Sequence, residues 1–596
     1  MNSIFARHIH WLYVIFFSWA SALAADNLAK AVPWQILAED PPLFPLDELK
    51  IGMQGTGYSV FSSQKGLEPF QFEVLGLMRG QLGAGQDLII VRFTEARFQK
   101  SGIVAGMSGS PAYLKGKLLG AVSYGIGSFL TEGAIAGITP IQYMLSAMAS
   151  PTDVNRLKSM AGLQVAQNHI AANLIKPIAL PLVATGLSAQ IAEQFKPRFE
   201  SRGYAFFMPG AGGLKLKSEP AQNLLYAGGP IAVVLVEGPM TMAAIGTVTW
   251  VKKDLFSAFG HPFLETGNSS MPVASAEIVT TVFSENEAFK LGQPLEIIGA
   301  LSDDRNVGIA GVMHQKARTV ALQIKLGQKS WHYKIADHAR DVPLFAAFAL
   351  GNSLAMRTDK ELGGSYVMQI KLVFADGRKI TLQREISEYA VPLEGEVARV
   401  FLEAISALSL HNFKQLELDN IEVDLLYKKQ VSTALLVAVD MGGDFNAGKK
   451  AKLNFSFRPW SAQIQSKFVE IGIPMGLTQG QYQFSVLDRA LAVNFEEEAG
   501  ISAVPQNYET LFLQIQTEPK ETQVCIYLQQ AFVSKRINGF PLVNLPPSLK
   551  QLTSRIAVPL GANLALSAVR LACVDMDFVM RGNVTGTITV KNEAKP

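Results

Sequence analysis

From residue 51 onward the chain runs in short apolar–polar alternations rather than in helical stripes. TGYSVFSS, FQFEVLGLM, DLIIVRF and AYLKGKLLGAVSYG follow one another across 51–150, most of them bounded by Gly, Ser or Asp. A period of two with such breakers predicts short strands, and strands at this spacing predict a small closed barrel or sandwich. Residues 151–230 break the pattern. NRLKSMAGLQVAQ and SAQIAEQFKPRFES read as helices and PGAGGLK as a loop, so this is a connecting segment, partly helical. Strand chemistry resumes in IAVVLVEGPMTMAAIGTVTWVKKDLFSAFGHPF and continues over 231–345, a second β unit of similar size to the first. Beyond it, SYVMQIKLVFADGRKITLQREI predicts a hairpin around Ala375-Asp376-Gly377, and EGEVARVFLEAISALSL predicts a helix. Residues 346–460 and 461–596 read as two further β-rich domains, so the fold class is mainly β.

The N-terminus differs from all of this. Residues 1–24 combine a single arginine, Arg7, with the apolar run WLYVIFFSWASA and the small-residue exit Ala22-Leu23-Ala24, the form of a cleaved signal peptide. Pro41, Pro42 and Pro45 make 25–50 an extended leader. The composition is 48% hydrophobic, yet no later apolar run is long enough to span a bilayer. An exported chain with no membrane span after signal cleavage is expected: periplasmic, envelope-associated or secreted. Lys+Arg is 53 against Asp+Glu 50, which leaves no electrostatic footprint for nucleic acid. Cys525 and Cys573 are the only cysteines, and their spacing leaves open whether they pair. No histidine lies beside either, so neither a metal nor a cofactor is expected.

Candidate chemistry concentrates in SGIVAGMSGSPAYLKGKLLGAVSYG (101–125). A nucleophilic serine needs an exposed hydroxyl on a tight turn and backbone amides converging on the oxyanion. Gly106, Ser108, Gly109 and Ser110 supply that composition, and Pro111 stiffens the exit into the next strand. Serine is inert at neutral pH without a base. Of the histidines, His261 stands out because AFGHPF frames it with glycine and proline, as a turn that projects the imidazole. His314 is the second choice, and His332 and His338, six residues apart, do not fit a helical metal pair.

Residues 51–125 and 231–315 resemble the SpoIVB-type serine peptidases, exported bacterial enzymes of the chymotrypsin-like double-barrel superfamily. The resemblance rests on GIVAGMSGSP with KGKLLGAVSYG, on FQFEVLGLM before them, on GTVTWVKKDLFSAFGHPF and on LGQPLEIIGALSDDRNVGIAGVM. It implies a chymotrypsin-like double β-barrel peptidase unit, here followed by C-terminal β-sandwich-like domains. It also implies Ser108 as nucleophile and His261 as general base, with the amides of Gly106 and Ser108 as the oxyanion hole and a protein or peptide as substrate. Two departures stand against the pattern. The sporulation protease carries its histidine half first, whereas here the serine half leads. The family's aspartate before GIV-x-GMSGSP is absent from VRFTEARFQKS, where Glu95 is the available carboxylate, with Asp87, Asp303 and Asp304 as weaker substitutes.

The missing aspartate and the long β-rich C-terminal half support an alternative, a catalytically degenerate protease fold acting as an envelope binding or scaffold module. An esterase of the α/β-hydrolase type is disfavoured, because Ser108 sits in G-M-S-G-S rather than G-x-S-x-G.

Overall fold

The structure is a computed structural model. It describes residues 41–591 apart from 128–132, 150–174, 203, 207–224, 284–287, 339, 358–362, 390, 409–416, 443–444, 478, 502–504, 532–534, 538–539 and 543–565. The expected signal peptide, most of the leader and the helix expected at NRLKSMAGLQVAQ lie outside the described residues. The chain is mainly β, arranged in several curled sheets. It divides into two compact units. The first reaches to Gly186 and takes in Lys196–Thr319 and Ala336–His338; the second takes Leu187–Phe195, Val320–Ile335 and the rest of the chain. No helix among the described residues is long and apolar enough to cross a membrane.

Among the described residues the first unit is built from fifteen strands. The leading six are β1 (Gln54–Ser62), β2 (Gly66–Gly83), β3 (Gln86–Phe93), β4 (Ser110–Leu114), β5 (Lys117–Ile126) and β6 (Ile135–Pro140). They are followed by β7 (Ile175–Pro177), β8 (Pro181–Thr185), β9 (Ala205–Phe206), β10 (Pro230–Glu237) and β11 (Thr241–Lys252). The last are β12 (Leu255–Ala258), β13 (Gly267–Val282), β14 (Phe289–Arg305) and β15 (Gly308–Met313). The order β4-β1-β2-β3-β6-β5 is antiparallel throughout, and β4 also pairs with β5, so the pairings close into a ring. The order β10-β13-β14-β15-β12-β11 closes in the same way through β10 and β11. Closure leaves neither ring with an open edge among these strands.

Alternation explains how each ring fills. Phe70, Phe72 and Val74 on β2 share one face and meet Ile89, Val91 and Phe93 of β3 in the interior, together with Phe98 and Met107. The rings of Phe93 and Phe98 are 4.7 Å apart, edge to face, a favoured aromatic geometry. The second ring packs Val234, Ile245, Ala274 and Ile278, and β10 and β11 are buried along nearly their whole length.

In the second unit the predicted hairpin forms as Gly364–Phe374 and Lys379–Glu388, and the predicted helix as Glu394–Ser406. Periodicity overlooked the helix Val342–Ala355, because every one of its residues is buried and no polar face marks it. A four-stranded and a five-stranded sheet between 433 and 591 share one hydrophobic core around Phe455, Phe484, Ile526 and Val590. Cys525 and Cys573 face each other across paired strands and form a disulfide.

Candidate functional site

The serine turn lies between the short helix Ala96–Ser101, which Gly102 ends, and β4. Three threonine bonds from β11 clamp it. The Thr247 amide donates to the Ser108 carbonyl (2.8 Å), Thr247 Oγ1 donates to the Gly106 carbonyl (2.8 Å), and Thr249 Oγ1 donates to the Gly109 carbonyl (2.7 Å). Thr247 and Thr249 are two apart on one strand, so both hydroxyls leave the same face. The approach is close enough to dictate the residue at 109. Gly109 has φ +97°, and a Cβ there would meet the Thr247 carbonyl oxygen at 1.9 Å.

The histidine turn follows β12. Phe259, fully buried, takes φ +69°, a strained conformation that is uncommon for a bulky residue. The Ser108 hydroxyl, fully buried, donates to the Phe259 carbonyl at 2.8 Å. In return, Thr139 Oγ1 at the end of β6 donates to the Gly260 carbonyl at 2.6 Å. Each ring therefore holds the other's turn, and the structure brings Ser108 to the backbone of the histidine turn.

His261 is 3% exposed. Its Nδ1 lies 2.7 Å from the Pro262 carbonyl oxygen, which can only accept, so the ring proton belongs on Nδ1 and Nε2 carries the lone pair. Nε2 is buried and makes no hydrogen bond. Ser108 Oγ and the imidazole are consequently not bonded to each other here. Burial pushes the imidazole down to about 4 from its ordinary value, while the carbonyls of Pro262 and Ile178 pull the other way; of these two, Pro262 has hydrogen-bond geometry. Tyr124 stands edge-on to the ring at 6.2 Å between centroids.

No family model, curated protein or solved structure matches this chain.

The remaining expected groups fall as follows. Glu95 Oε1 accepts from the Gln71 amide (2.9 Å) and its Oε2 pairs with Arg97 (2.8 Å), so its contacts anchor the start of the short helix and do not reach His261. Asp87 accepts from the Gly80 amide and Asp303 pairs with Arg305. Asp304, fully buried, collects the amides of Phe263 (2.8 Å), Leu264 (2.7 Å) and Thr266 (3.4 Å). Burial, the largest influence, raises its carboxyl, and these hydrogen bonds oppose that. Asp304 thus fixes the chain leaving His261 through backbone amides, not through the ring. The Gly106 amide donates to the Ala179 carbonyl at 3.0 Å, whereas the Ser108 amide has no such partner among the described residues. His314 is on the surface, 3.9 Å from Asp254.

Three participants had no motif in the sequence: Thr247, Thr249 and Lys290. The threonines could have been found as a polar pair on one parity of GTVTWV. Lys290 Nζ, fully buried, lies 2.8 Å from Ser59 Oγ and 3.0 Å from Thr247 Oγ1. It shares the inward parity of β14 with Gly292 and Pro294, neither of which reads as core.

Proposed function

We propose that this chain is an exported serine endopeptidase of SpoIVB type, with the two strand rings as a chymotrypsin-like double β-barrel and the sheets of the second unit as a C-terminal accessory β-sandwich. The observation that carries the reading is the buried, unbonded His261 Nε2, held in the base tautomer on the turn whose Phe259 carbonyl binds the Ser108 hydroxyl. Buried polar atoms are hydrogen-bonded in nearly all cases, so an orphaned imidazole nitrogen on the turn that binds a serine hydroxyl supports a role in taking up a proton.

In this reading the Ser108 hydroxyl turns from the Phe259 carbonyl toward Nε2. Oγ bonds to the peptide carbonyl carbon as its proton passes to Nε2, and the C–N bond then breaks as the imidazolium returns that proton to the leaving amine. Water hydrolyses the acyl-enzyme by the same route. The Pro262 carbonyl takes over one task of the missing aspartate, the choice of tautomer, without supplying a negative charge. The Ser108 amide is the oxyanion donor, and Gly106 joins it on release of Ala179. The cystine of the second unit supports the exported reading, because disulfides persist in oxidising compartments.

The test is hydrolysis of unfolded casein by the wild type, Ser108→Ala and His261→Ala. Each variant should lose roughly 10³-fold or more of the rate while keeping its circular dichroism. The full burial of Ser108 and the engaged Gly106 amide favour the second reading, a binding module on a degenerate protease fold. Equal behaviour of all three proteins would overturn the peptidase reading and leave the second.

A further inference from the structure

The first ring leaves part of one strand edge without a partner from the ring itself. β4 pairs with β5 from Lys117 to Val122, and the Gly109 amide of the serine turn donates to the Val122 carbonyl at 2.8 Å. Beyond that point this edge of β5 runs on from Ser123 to Ile126, and the strap Ile175–Leu180, which includes β7 and leads into β8, fills it. Ile175, Lys176 and Pro177 pair antiparallel with Ile126, Gly125 and Tyr124, and the Ile178 amide donates to the Ser123 carbonyl at 2.9 Å. The next residue crosses to the serine turn, where the Ala179 carbonyl accepts from the Gly106 amide at 3.0 Å. Past Leu180, β8 pairs with β11 and fixes the other end.

These contacts take up groups that the reaction at Ser108 needs. The Gly106 amide is one of the two oxyanion donors, and its single N–H cannot serve a substrate carbonyl while it serves Ala179. The β5 edge beside the serine turn is where an extended peptide would find backbone partners, and the strap already uses it. The Ile178 carbonyl is close enough to His261 to favour its charged form, so the strap borders the base as well. The strap is nonetheless lightly held. β7 is a three-residue strand at the sheet edge, and Pro177 brings no amide. Of Ile175–Leu180 only Ile178 is buried, 5% exposed, in the core of the first ring. A segment with so few buried contacts opens locally while the domain stays folded.

We propose that the strap Ile175–Leu180 is an autoinhibitory element: closed, it withholds the Gly106 amide and the β5 edge from substrate, and the site turns over only in the fraction of molecules whose strap has lifted. The proposal rests on the peptidase reading. It accounts for the engaged Gly106 amide and the burial of Ser108 as latency rather than degeneracy. With one closed and one open form, the observed kcat/KM is the open-form value multiplied by the open fraction. Holding the strap down and freeing it therefore move the rate in opposite directions.

The experiment does both in the full-length chain. Gly125 and Lys176 lie directly opposite each other on β5 and β7, a Cβ added at Gly125 meets nothing within 4 Å, and Lys176 is exposed. Opposed residues of an antiparallel pair have Cα atoms about 4.5–5.5 Å apart, within reach of a disulfide. The oxidised double variant Gly125→Cys/Lys176→Cys should hydrolyse casein, and take up a fluorophosphonate at Ser108, about tenfold or more slowly than the wild type. Dithiothreitol should restore both rates, with the wild type under the same reductant controlling for Cys525–Cys573. Ile178→Ala removes the buried anchor and should raise kcat/KM and the labelling rate about tenfold or more. If Ile178→Ala does not fold, the locked chain decides alone; if the new disulfide does not form, Ile178→Ala does. A locked chain within about twofold of the wild type, or a folded Ile178→Ala no faster than it, overturns the strap and leaves the peptidase standing. No Ser108-dependent turnover in the wild type, the reduced double variant or Ile178→Ala overturns the peptidase reading, and the strap's role with it.

Discussion

The imidazole of His261 sits in the protein interior with its Nδ1 proton committed to the next residue's carbonyl and its other nitrogen bare. A histidine so placed is a store of pH-dependent stability. Its folded value of about 4 lies below its ordinary 6.5, so between these limits the unfolded chain holds a proton that the folded chain does not. Stability then rises with pH through that window and falls as pH drops from about 6.5 to about 4, by on the order of 3 kcal/mol. Denaturant unfolding of the full chain across pH 4 to 7 should show this slope in the wild type and lose that contribution in His261→Gln. Identical slopes would mean that the ring is solvated and free to protonate. The turns that carry Ser108 and His261 were legible in the sequence because turn chemistry is local: glycine and proline frame each of them within a few residues. Lys290 was not, because a single lysine on an alternating strand reads as solvent-facing until the ring closes around it.

At the level of elements, the site depends on β11 approaching the serine turn without any side chain between them. Gly109→Ala would place a methyl group against the Thr247 carbonyl oxygen and also demand φ +97° of an alanine. Gly116, in the β4–β5 turn, has φ +75° but open space around it. Gly116→Ala should therefore cost about 1 kcal/mol, the conformational penalty alone, and Gly109→Ala roughly 3 kcal/mol or more, read by denaturant unfolding. Equal costs would contradict the clamp. The strands of the first ring were readable from alternation and breakers, since that ring has an inside and an outside, whereas β10 and β11, buried along nearly their whole length, were readable as apolar runs between breakers. The clamp was not, because hydroxyl-to-carbonyl bonds across elements remote in sequence leave no period in the chain. Glu95 shows the converse error of locality. Its place before the serine turn suggested a triad member, but Arg97 lies two residues on and the Gln71 amide comes from the adjoining β2, and these neighbours occupy both its oxygens.

For the whole molecule, two features bear on where and how it works. The first unit pairs two closed rings of six strands, and the loops that leave them carry the serine from one ring and the histidine from the other. The order of the two rings along the chain is free in such an arrangement, because each ring closes on its own strands and only the turns need to meet. The second unit carries the single disulfide, whose cysteines are 48 residues apart, a closure that contributes about 2–4 kcal/mol. Composition and hydropathy left that pairing open; the register of its two strands decides it, with Cys525 directly opposite Cys573. The central claim is that the hydroxyl on the first ring is a nucleophile activated by the second. It is tested most directly by treating the full-length protein with a fluorophosphonate and locating the adduct by peptide mass spectrometry. The account predicts one phosphonyl group on Ser108, absent in His261→Ala; a protein left unmodified, or modified at Ser110 or elsewhere, would contradict it.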